Sequence, residues 1–180
     1  MPAGDPLLKR AIDSIVSQSY KEYEIIMTKE GRASENTNAG IKKAQGDIIK
    51  ILHMDDFFAH EHALQNIADN FNGGWLVTGC THTHGEDRFN NHLAEWNDDI
   101  RHVNTIGAPS VLAFENKDPL LFNENMVWMF DCEYYERLFK RYGLPTILDS
   151  IDIVIGIHPH QATNLIPDAI KAKENVYATL

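Results

Sequence analysis

The feature that most constrains this chain is residues 46–56, GDIIKILHMDD, an apolar run that ends in two adjacent carboxylates. The run is too short for a helix and follows Gly46, so it predicts a buried strand. In an open α/β sheet, ligands bind beyond the carboxyl ends of the strands. Asp55 and Asp56 therefore predict a site for a hard divalent cation that carries a diphosphate, and the alternative is a solvated turn or the N-cap of the next helix.

The composition and the net charge indicate which classes of protein this chain can belong to. The 180 residues, 43% of them hydrophobic, suit one buried core, and the net charge of −10 disfavours nucleic acid and anionic membranes as partners. The two cysteines, Cys80 and Cys132, do not form a disulfide framework. Residues 1–6 lack a basic or apolar signal region, and no run approaches the roughly 18 apolar residues of a membrane span. We therefore expect a cytoplasmic protein with no membrane span.

Helical stripes of apolar residues alternate along the chain with short apolar runs. Helices are predicted over residues 8–16, 34–44, 59–71 and 131–142, and strands over residues 24–27, 75–78 and 151–157 as well as in the run before Asp55. Ser34 or Asn36 is the expected N-cap of the second helix. The alternation predicts a mainly parallel sheet covered by helices. Residues 81–107, which have no periodicity, predict an extended loop or lid.

Four segments carry a resemblance. Residues 8–20 contain an S-x-x-x-Q-x-Y turn and are followed by an apolar run, and residues 40–49 read G-I-x-x-A-x-G-D-I-I before the aspartates. Residues 131–138 (DCEYYERL) form an acidic helix start, and residues 157–164 (IHPHQATN) are similar to a closing R-x-H-x-x-Q-x-T segment. In this order the segments resemble glycosyltransferase family 2, densely from about residue 7 to residue 58 and more sparsely afterwards.

The resemblance implies the fold and the reaction. The expected fold class is α/β, the Rossmann-like GT-A fold of nucleotide-diphospho-sugar transferases, with a mostly parallel sheet and helices on both faces. One domain would span residues 1–180, with a nucleotide-sugar-binding half over about 1–80 and an acceptor-side half over about 81–180. The implied reaction moves a sugar from a UDP- or GDP-sugar to a hydroxyl of a saccharide or other acceptor. It would be metal-dependent and would invert the anomeric carbon.

The same resemblance assigns roles to five residues. Asp55 and Asp56 would bind the donor and a divalent metal, Mn²⁺ or Mg²⁺, and His158 would complete the metal site. An imidazole ligand favours Mn²⁺. Glu30 would take the place of an acid that contacts the nucleotide. Asp131 would be the general base for the acceptor hydroxyl, although an aspartate at a helix start is also a common cap.

The chain departs from the family in three places. The first helix begins almost at once, with no counterpart of the family's opening strand and nucleotide-binding turn. Residues 28–32 (TKEGR) replace the usual Asp-Asp-Gly-Ser, and His53 replaces the first aspartate of the D-x-D-D variant. These departures support one alternative, a non-catalytic GT-A-like remnant that binds a nucleotide or a partner.

Histidine pairs support a second alternative. His82 and His84 form one H-x-H pair, and His158 and His160 form another. Paired imidazoles can hold Zn²⁺ for hydrolysis, so a zinc metallohydrolase is a weaker hypothesis.

Overall fold

The computed structural model describes residues 5–177 as one sheet with helices packed on it. The helices are α1 Pro6–Val16, α2 Ala33–Ile41, α3 Ala63–Asn70, α4 Phe130–Tyr142, α5 Ala162–Leu165 and α6 Asp168–Tyr177, with a 3₁₀ turn at Pro109–Val111. The strands are β1 Ile48–Lys50, β2 Phe57–Phe58, β3 Trp75–Thr83, β4 Arg88–His92, β5 Leu112–Glu115 and β6 Thr146–Gly156.

The sheet is mixed, not mostly parallel as the sequence predicts. Its strand order is β1-β5-β3-β6-β2, and β4 pairs with the distal half of β3. Among the described strand pairs, β3 with β6 is parallel, and the other four pairs are antiparallel. The physical reason is the connections: a parallel pair needs a long crossover, whereas β4 and β5 follow β3 with no α-helix between them.

Helices cover both faces of the sheet, as predicted. Side chains alternate along β3, so Trp75 and Val77 join one apolar cluster with Tyr135 and Leu138 of α4. Leu76 points the other way into a smaller cluster with Ile67 of α3. These fully buried strand residues form the rigid layer that supports the site.

The first helix forms where its apolar stripe predicts it, and it begins with an N-cap residue that the stripe does not indicate. Asp5 is the N-cap of α1, and its side chain accepts the Leu7 N–H at 2.9 Å. Ala11 is buried on the inner face, while Ser14 on the same helix accepts the N–H of Phe58 in β2 at 3.1 Å. The helix therefore packs directly beside the segment that carries the aspartates.

Residues 24–27 do not form the predicted buried strand. Ile25 and Met27 are 44% and 55% exposed, and no strand among the described residues pairs with this segment. Its main attachment is Glu24, whose Oε1 accepts the N–H groups of Gln45 and Gly46 at 2.6 and 3.0 Å. An apolar run forms a strand only where a neighbouring strand accepts its backbone hydrogen bonds.

Three further boundaries differ from the prediction. The N-cap of α2 is Arg32, not Ser34 or Asn36, because Glu35 accepts the Arg32 N–H at 2.6 Å and holds the helix start two residues earlier. The third helix begins at Ala63 instead of residue 59. Residues 81–107 are not wholly irregular, since they contain the end of β3 and all of β4.

Two remaining properties concern the chain as a whole. Cys80 and Cys132 are both buried free thiols, as the cysteine count predicts. Within residues 5–177, no helix is long and apolar enough to cross a membrane.

Candidate functional site

Asp55 and His158 meet where three segments converge. Asp55 lies in the turn between β1 and β2, and His158 follows the end of β6. The Asp55 Oδ2 and His158 Nε2 atoms are 3.3 Å apart, and the two side chains keep 23% and 26% of their surface exposed. The structure thus brings together two of the residues that the sequence predicts for the site. A carboxylate and an imidazole, both partly open to solvent, therefore lie side by side.

Gly156 lets β6 approach the aspartate turn. A Cβ atom on this residue would clash with the Asp55 carbonyl oxygen and would lie 3.0 Å from Arg10 Nη2. The Gly156 N–H donates to Asp56 Oδ1 at 3.0 Å. A residue with a side chain would separate β6 from the turn, and His158 would move with it.

Arg10 ties α1 to the same turn. Its Nη2 donates to the Asp55 carbonyl oxygen at 2.8 Å, and its guanidinium lies 4.3 Å from the centre of the Phe57 ring. The Arg10 Nε is buried and has no hydrogen-bond partner among the described residues. Arg10 therefore supplies positive charge directly behind Asp55.

Asp56 faces the interior instead of joining Asp55 and His158. It is only 3% exposed and receives hydrogen bonds from Gly156 and the Ser110 hydroxyl. Burial, followed by the charge of Asp55, raises the pKa of Asp56 to about 7, although Lys50 and the two hydrogen bonds oppose this shift. In this structure Asp56 supports the turn from within.

The interior side of the turn holds two more polar groups. The Lys50 Nζ donates to the carbonyl oxygens of Ile51 at 2.9 Å and of Ser110, and burial lowers the pKa of Lys50 to about 7. The His53 N–H donates to Ser110 Oγ at 3.0 Å. Burial also lowers the pKa of His53, whose Nε2 has no partner among the described residues.

Asp131 occupies the first turn of α4. Its Oδ1 accepts the Cys132 N–H at 2.8 Å, and its Oδ2 accepts an N–H of Asn104 at 2.9 Å. Burial raises the pKa of Asp131 to about 6, although the hydrogen bonds from Cys132 oppose this. The N-cap position itself belongs to Met129, so Asp131 is not the cap residue that the structural alternative requires.

Contacts connect Asp131 with the aspartate turn. Asn104 Oδ1 accepts the Gly107 N–H at 2.8 Å, and the Gly107 carbonyl oxygen accepts the Tyr135 hydroxyl at 2.9 Å. The same loop continues to Ser110, which contacts His53 and Asp56. One connection, residues 104–110, therefore touches both predicted catalytic elements.

Glu30 is not brought to these residues. Its carboxylate is 3.4 Å from Lys43 Nζ, and both side chains are more than half exposed. Among the contacts of the described residues, none joins Glu30 to Asp55 or His158.

Two surface depressions lie away from the aspartates. One of about 590 Å³ is lined by residues 45–48 with Phe71 and residues 115–117, and one of about 280 Å³ lies at the β3–β4 turn. Neither includes Asp55, so we place the site by its chemistry and contacts. Within residues 5–177, no group of three or more His, Cys, Asp or Glu side chains converges to hold a metal.

The family follows from comparison with known sequences. The family model "Glycosyl transferase family 2" matches residues 27–139, which is more than half of the chain. The chain belongs to glycosyl transferase family 2. This confirms the resemblance to the family. No curated protein sequence matches this family 2 chain.

Solved structures confirm the GT-A fold. S. aureus TarS 1-349 is 13% identical, with a TM-score of 0.64 over 84% of this chain and 57% of that chain. TarS 1-349 in complex with UDP-GlcNAc is 11% identical, with a TM-score of 0.67 over 89% of this chain and 57% of that chain. Our family 2 chain thus spans a little over half the length of this relative, and at such identity the likeness concerns the fold alone.

Several residues of the site are not found by sequence reasoning. Arg10, Gly156 and Ser110 carry no local signal, because each acts through contacts with residues distant in sequence. Lys50 does carry one, since it is a single cation within an otherwise apolar strand.

Proposed function

We propose that this chain transfers a sugar from a nucleotide-diphosphate donor to an acceptor hydroxyl, with a divalent cation held by Asp55 and His158. The observation that carries the proposal is the 3.3 Å approach of Asp55 Oδ2 to His158 Nε2 at the end of β6. It supports the sequence prediction because the two residues are 103 positions apart in the chain and meet with both side chains partly exposed.

The donor set fits Mn²⁺ or Mg²⁺ better than Zn²⁺. Catalytic zinc takes three protein ligands, whereas magnesium-type sites use one or two protein ligands together with substrate phosphates. Asp55 and His158 supply two, and the imidazole favours Mn²⁺. When bound, the cation neutralises charge that develops on the departing diphosphate. Asp56, buried behind the turn, positions Asp55, and Arg10 adds positive charge.

Asp131 is the proposed general base. A base must accept a proton near the working pH, and a pKa of about 6 keeps Asp131 ionised at neutral pH and still basic enough to take the acceptor proton. Asn104 holds Oδ2 by its 2.9 Å hydrogen bond. A single displacement with this base inverts the configuration at the anomeric carbon.

The proposed donor is based on the solved structures that this chain is similar to. TarS is seen with UDP and with UDP-GlcNAc, and we therefore propose a UDP-sugar before a GDP-sugar. The acceptor is a saccharide or another hydroxyl compound. We also propose that residues 1–80 bind the donor and residues 81–180 face the acceptor.

Calorimetric titration of UDP and GDP, with and without Mn²⁺, tests the donor site. We expect binding that requires Mn²⁺ and is lost in Asp55→Asn, because that change removes an anionic ligand. Asp47→Asn is the matched control, since Asp47 is exposed and lies before β1. Far-UV circular dichroism of each variant shows that it is folded.

The outcomes separate the hypotheses. Metal-dependent binding that Asp47→Asn retains supports the transferase and justifies an acceptor screen. A folded wild-type protein that binds neither nucleotide contradicts the proposal and favours the non-catalytic remnant. Tight zinc with hydrolase activity instead favours the metallohydrolase.

A further inference from the structure

A carboxylate from the last described helix occupies the start of α4. Glu174 of α6 is only 6% exposed. Its Oε1 accepts the Val127 N–H at 2.8 Å, and its Oε2 accepts the N–H groups of Trp128 and Met129 at 2.8 and 2.9 Å. Three successive backbone donors thus converge on one side chain that is 45 or more residues away in sequence.

The start of α4 depends on this side chain. A helix N-terminus leaves backbone N–H groups without intrahelical partners, and Ser, Thr, Asp or Asn at the N-cap usually accepts one of them. The N-cap of α4 is Met129, which makes no side-chain cap hydrogen bond. Glu174 instead accepts the N–H of Met129 itself and the N–H groups of the two residues before it, and its negative charge suits the positive end of the helix dipole.

Asp131 lies two residues beyond Met129. Its carboxylate accepts the Cys132 N–H, so its direction is set by the backbone of the same first turn. Glu174 holds the backbone that enters this turn, and the Asn104 amide holds the Asp131 carboxylate itself through Oδ2. A change in the path of residues 127–129 would therefore rotate the Asp131 carboxylate.

The rest of α6 holds Glu174 in place. Lys171 Nζ lies 4.9 Å from the centre of the Trp128 ring, a cation–π contact with the residue between the two outer donors. The segment leading to α6 begins at His158 and is fixed there, because Gln161 Nε2 donates to the Gly156 carbonyl oxygen at 2.7 Å. One stretch of chain therefore runs from the proposed metal ligand to the start of α4.

We propose that Glu174 is a positioning residue for catalysis, which fixes the first turn of α4 and thereby aims the Asp131 carboxylate at the acceptor. The inference rests on the proposed role of Asp131 as base. Glu174 touches no substrate, and it acts by satisfying the three N–H groups of residues 127–129.

Glu174→Gln and Glu174→Ala test this in the full chain, with Asp168→Asn as the matched control. A glutamine oxygen can still accept two of the three N–H groups, whereas alanine accepts none. Asp168 is on the same helix and is fully exposed, and its nearest ionic partner, Lys171, is 3.9 Å away. Two readouts are taken: amide hydrogen exchange at residues 127–129, and steady-state kinetics with a UDP-sugar and Mn²⁺.

We expect faster exchange at residues 127–129 by about tenfold in Glu174→Gln and by more in Glu174→Ala, since hydrogen bonds to a charged group are lost. The kcat should fall about tenfold, a part of what a general base contributes. Donor affinity should stay within about twofold, because Asp55 and His158 are untouched, and a general loss of folding would not produce this split. Asp168→Asn should behave as wild type.

Each contrary result is informative. Faster exchange with unchanged kcat would show that Glu174 anchors α4 without positioning the base, and would overturn the proposal. Unchanged exchange would show that the anchoring itself is wrong. A wild-type protein that shows slow exchange at residues 127–129 but no transfer to any acceptor would reject the proposed function, and the positioning role with it, while leaving the anchoring of α4 intact.

Discussion

The aspartate turn, residues 53–56, and the exposed segment, residues 21–31, both lie in the stretch that resembles the family most densely. The turn is held by Arg10 of α1, by Ser110 and by Gly156 of β6. The exposed segment runs along the surface with Ile25 and Met27 open to solvent. The two regions have similar local signals and very different environments.

The difference shows what a motif needs to become a site. The backbone of Asp55 is held by Arg10 and lies against Gly156, both distant in sequence, and its carboxylate lies 3.3 Å from His158 Nε2. Glu30 has an exposed lysine as its partner, and such pairs do little to fix a side chain. A family motif therefore builds a site where long-range contacts hold its backbone.

Shortening an apolar side chain should show the largest difference in stability between the strand before the turn and the exposed segment. Ile49 of β1 is 9% exposed, and Ile49→Ala should lower the free energy of unfolding by about 2–5 kcal/mol because a cavity remains. Ile25→Ala, in the exposed segment, should change it by less than about 0.5 kcal/mol. Urea denaturation measures both. An equal cost at Ile25 would show that the segment is buried in solution.

Asp131, on the proposed acceptor side, should make both stability and catalysis depend on pH. The pKa of Asp131 is raised by burial to about 6, from 3.8. Stability from this carboxyl is therefore fully present below about pH 4 and is lost as the pH rises through 6, by at most about 3 kcal/mol. Catalysis has the opposite sign, since the base must be ionised: kcat/KM should fall tenfold per pH unit below about 6.

The variant Asp131→Ala tests both pH dependences, that of stability and that of catalysis. The difference in stability between this variant and wild type, followed by urea titration from pH 4 to pH 7, should move in favour of the variant as the pH rises. The kcat/KM of this variant should no longer fall as the pH is lowered below about 6. A wild-type profile that stays flat down to pH 5 would exclude Asp131 as the base.

The next largest effect is expected where Gly156 of β6 approaches the aspartate turn. Gly156→Ala places a Cβ against the Asp55 carbonyl oxygen and should cost about 1–3 kcal/mol by overpacking. It should also weaken Mn²⁺-dependent UDP binding, because His158 is displaced. Gly85→Ala is the control, since no atom lies within 4 Å of a Cβ there. If thermal unfolding and titration give equal results for both variants, the approach of β6 does not position His158.

The smallest effect is expected at Glu30. Glu30→Gln removes only an exposed ion pair with Lys43, worth less than about 1 kcal/mol. The dissociation constant for UDP should change by less than about fivefold. Loss of binding by much more than this would mean that the exposed segment contacts the nucleotide in the complex, and the comparison above would fail.

The sequence predicts the parts of this molecule that depend on local pattern. The stripes of α1 and α4 are set by apolar spacing, and the resemblance adds the family and the GT-A fold. The strand predicted to run up to Asp55 is shorter than its apolar run suggests, since β1 is only Ile48–Lys50 and lies at the edge of the sheet. The direction of β4 and β5 depends on the loops that precede them, which have no periodicity. Sequence spacing alone could not assign it.

The supporting residues of the site escape prediction for a related reason. Gly156 matters because of where Asp55 lies, and Glu174 matters because three backbone N–H groups of residues 127–129 converge on it. Each role is a property of a contact between distant segments. Ile25 and Met27 show the converse, since an apolar run with no neighbouring strand stays exposed.

The two buried cysteines make the fold observable by simple chemistry. Cys80 lies in β3 and Cys132 in α4, and burial raises the pKa of the Cys80 thiol to about 11 and that of Cys132 further still. The thiolate is the nucleophile that attacks an alkylating reagent, so both thiols should be unreactive in the native protein and should react once the sheet and α4 separate. The mass added by iodoacetamide would then report the fraction of unfolded molecules in any variant described above, with no further substitution in the chain.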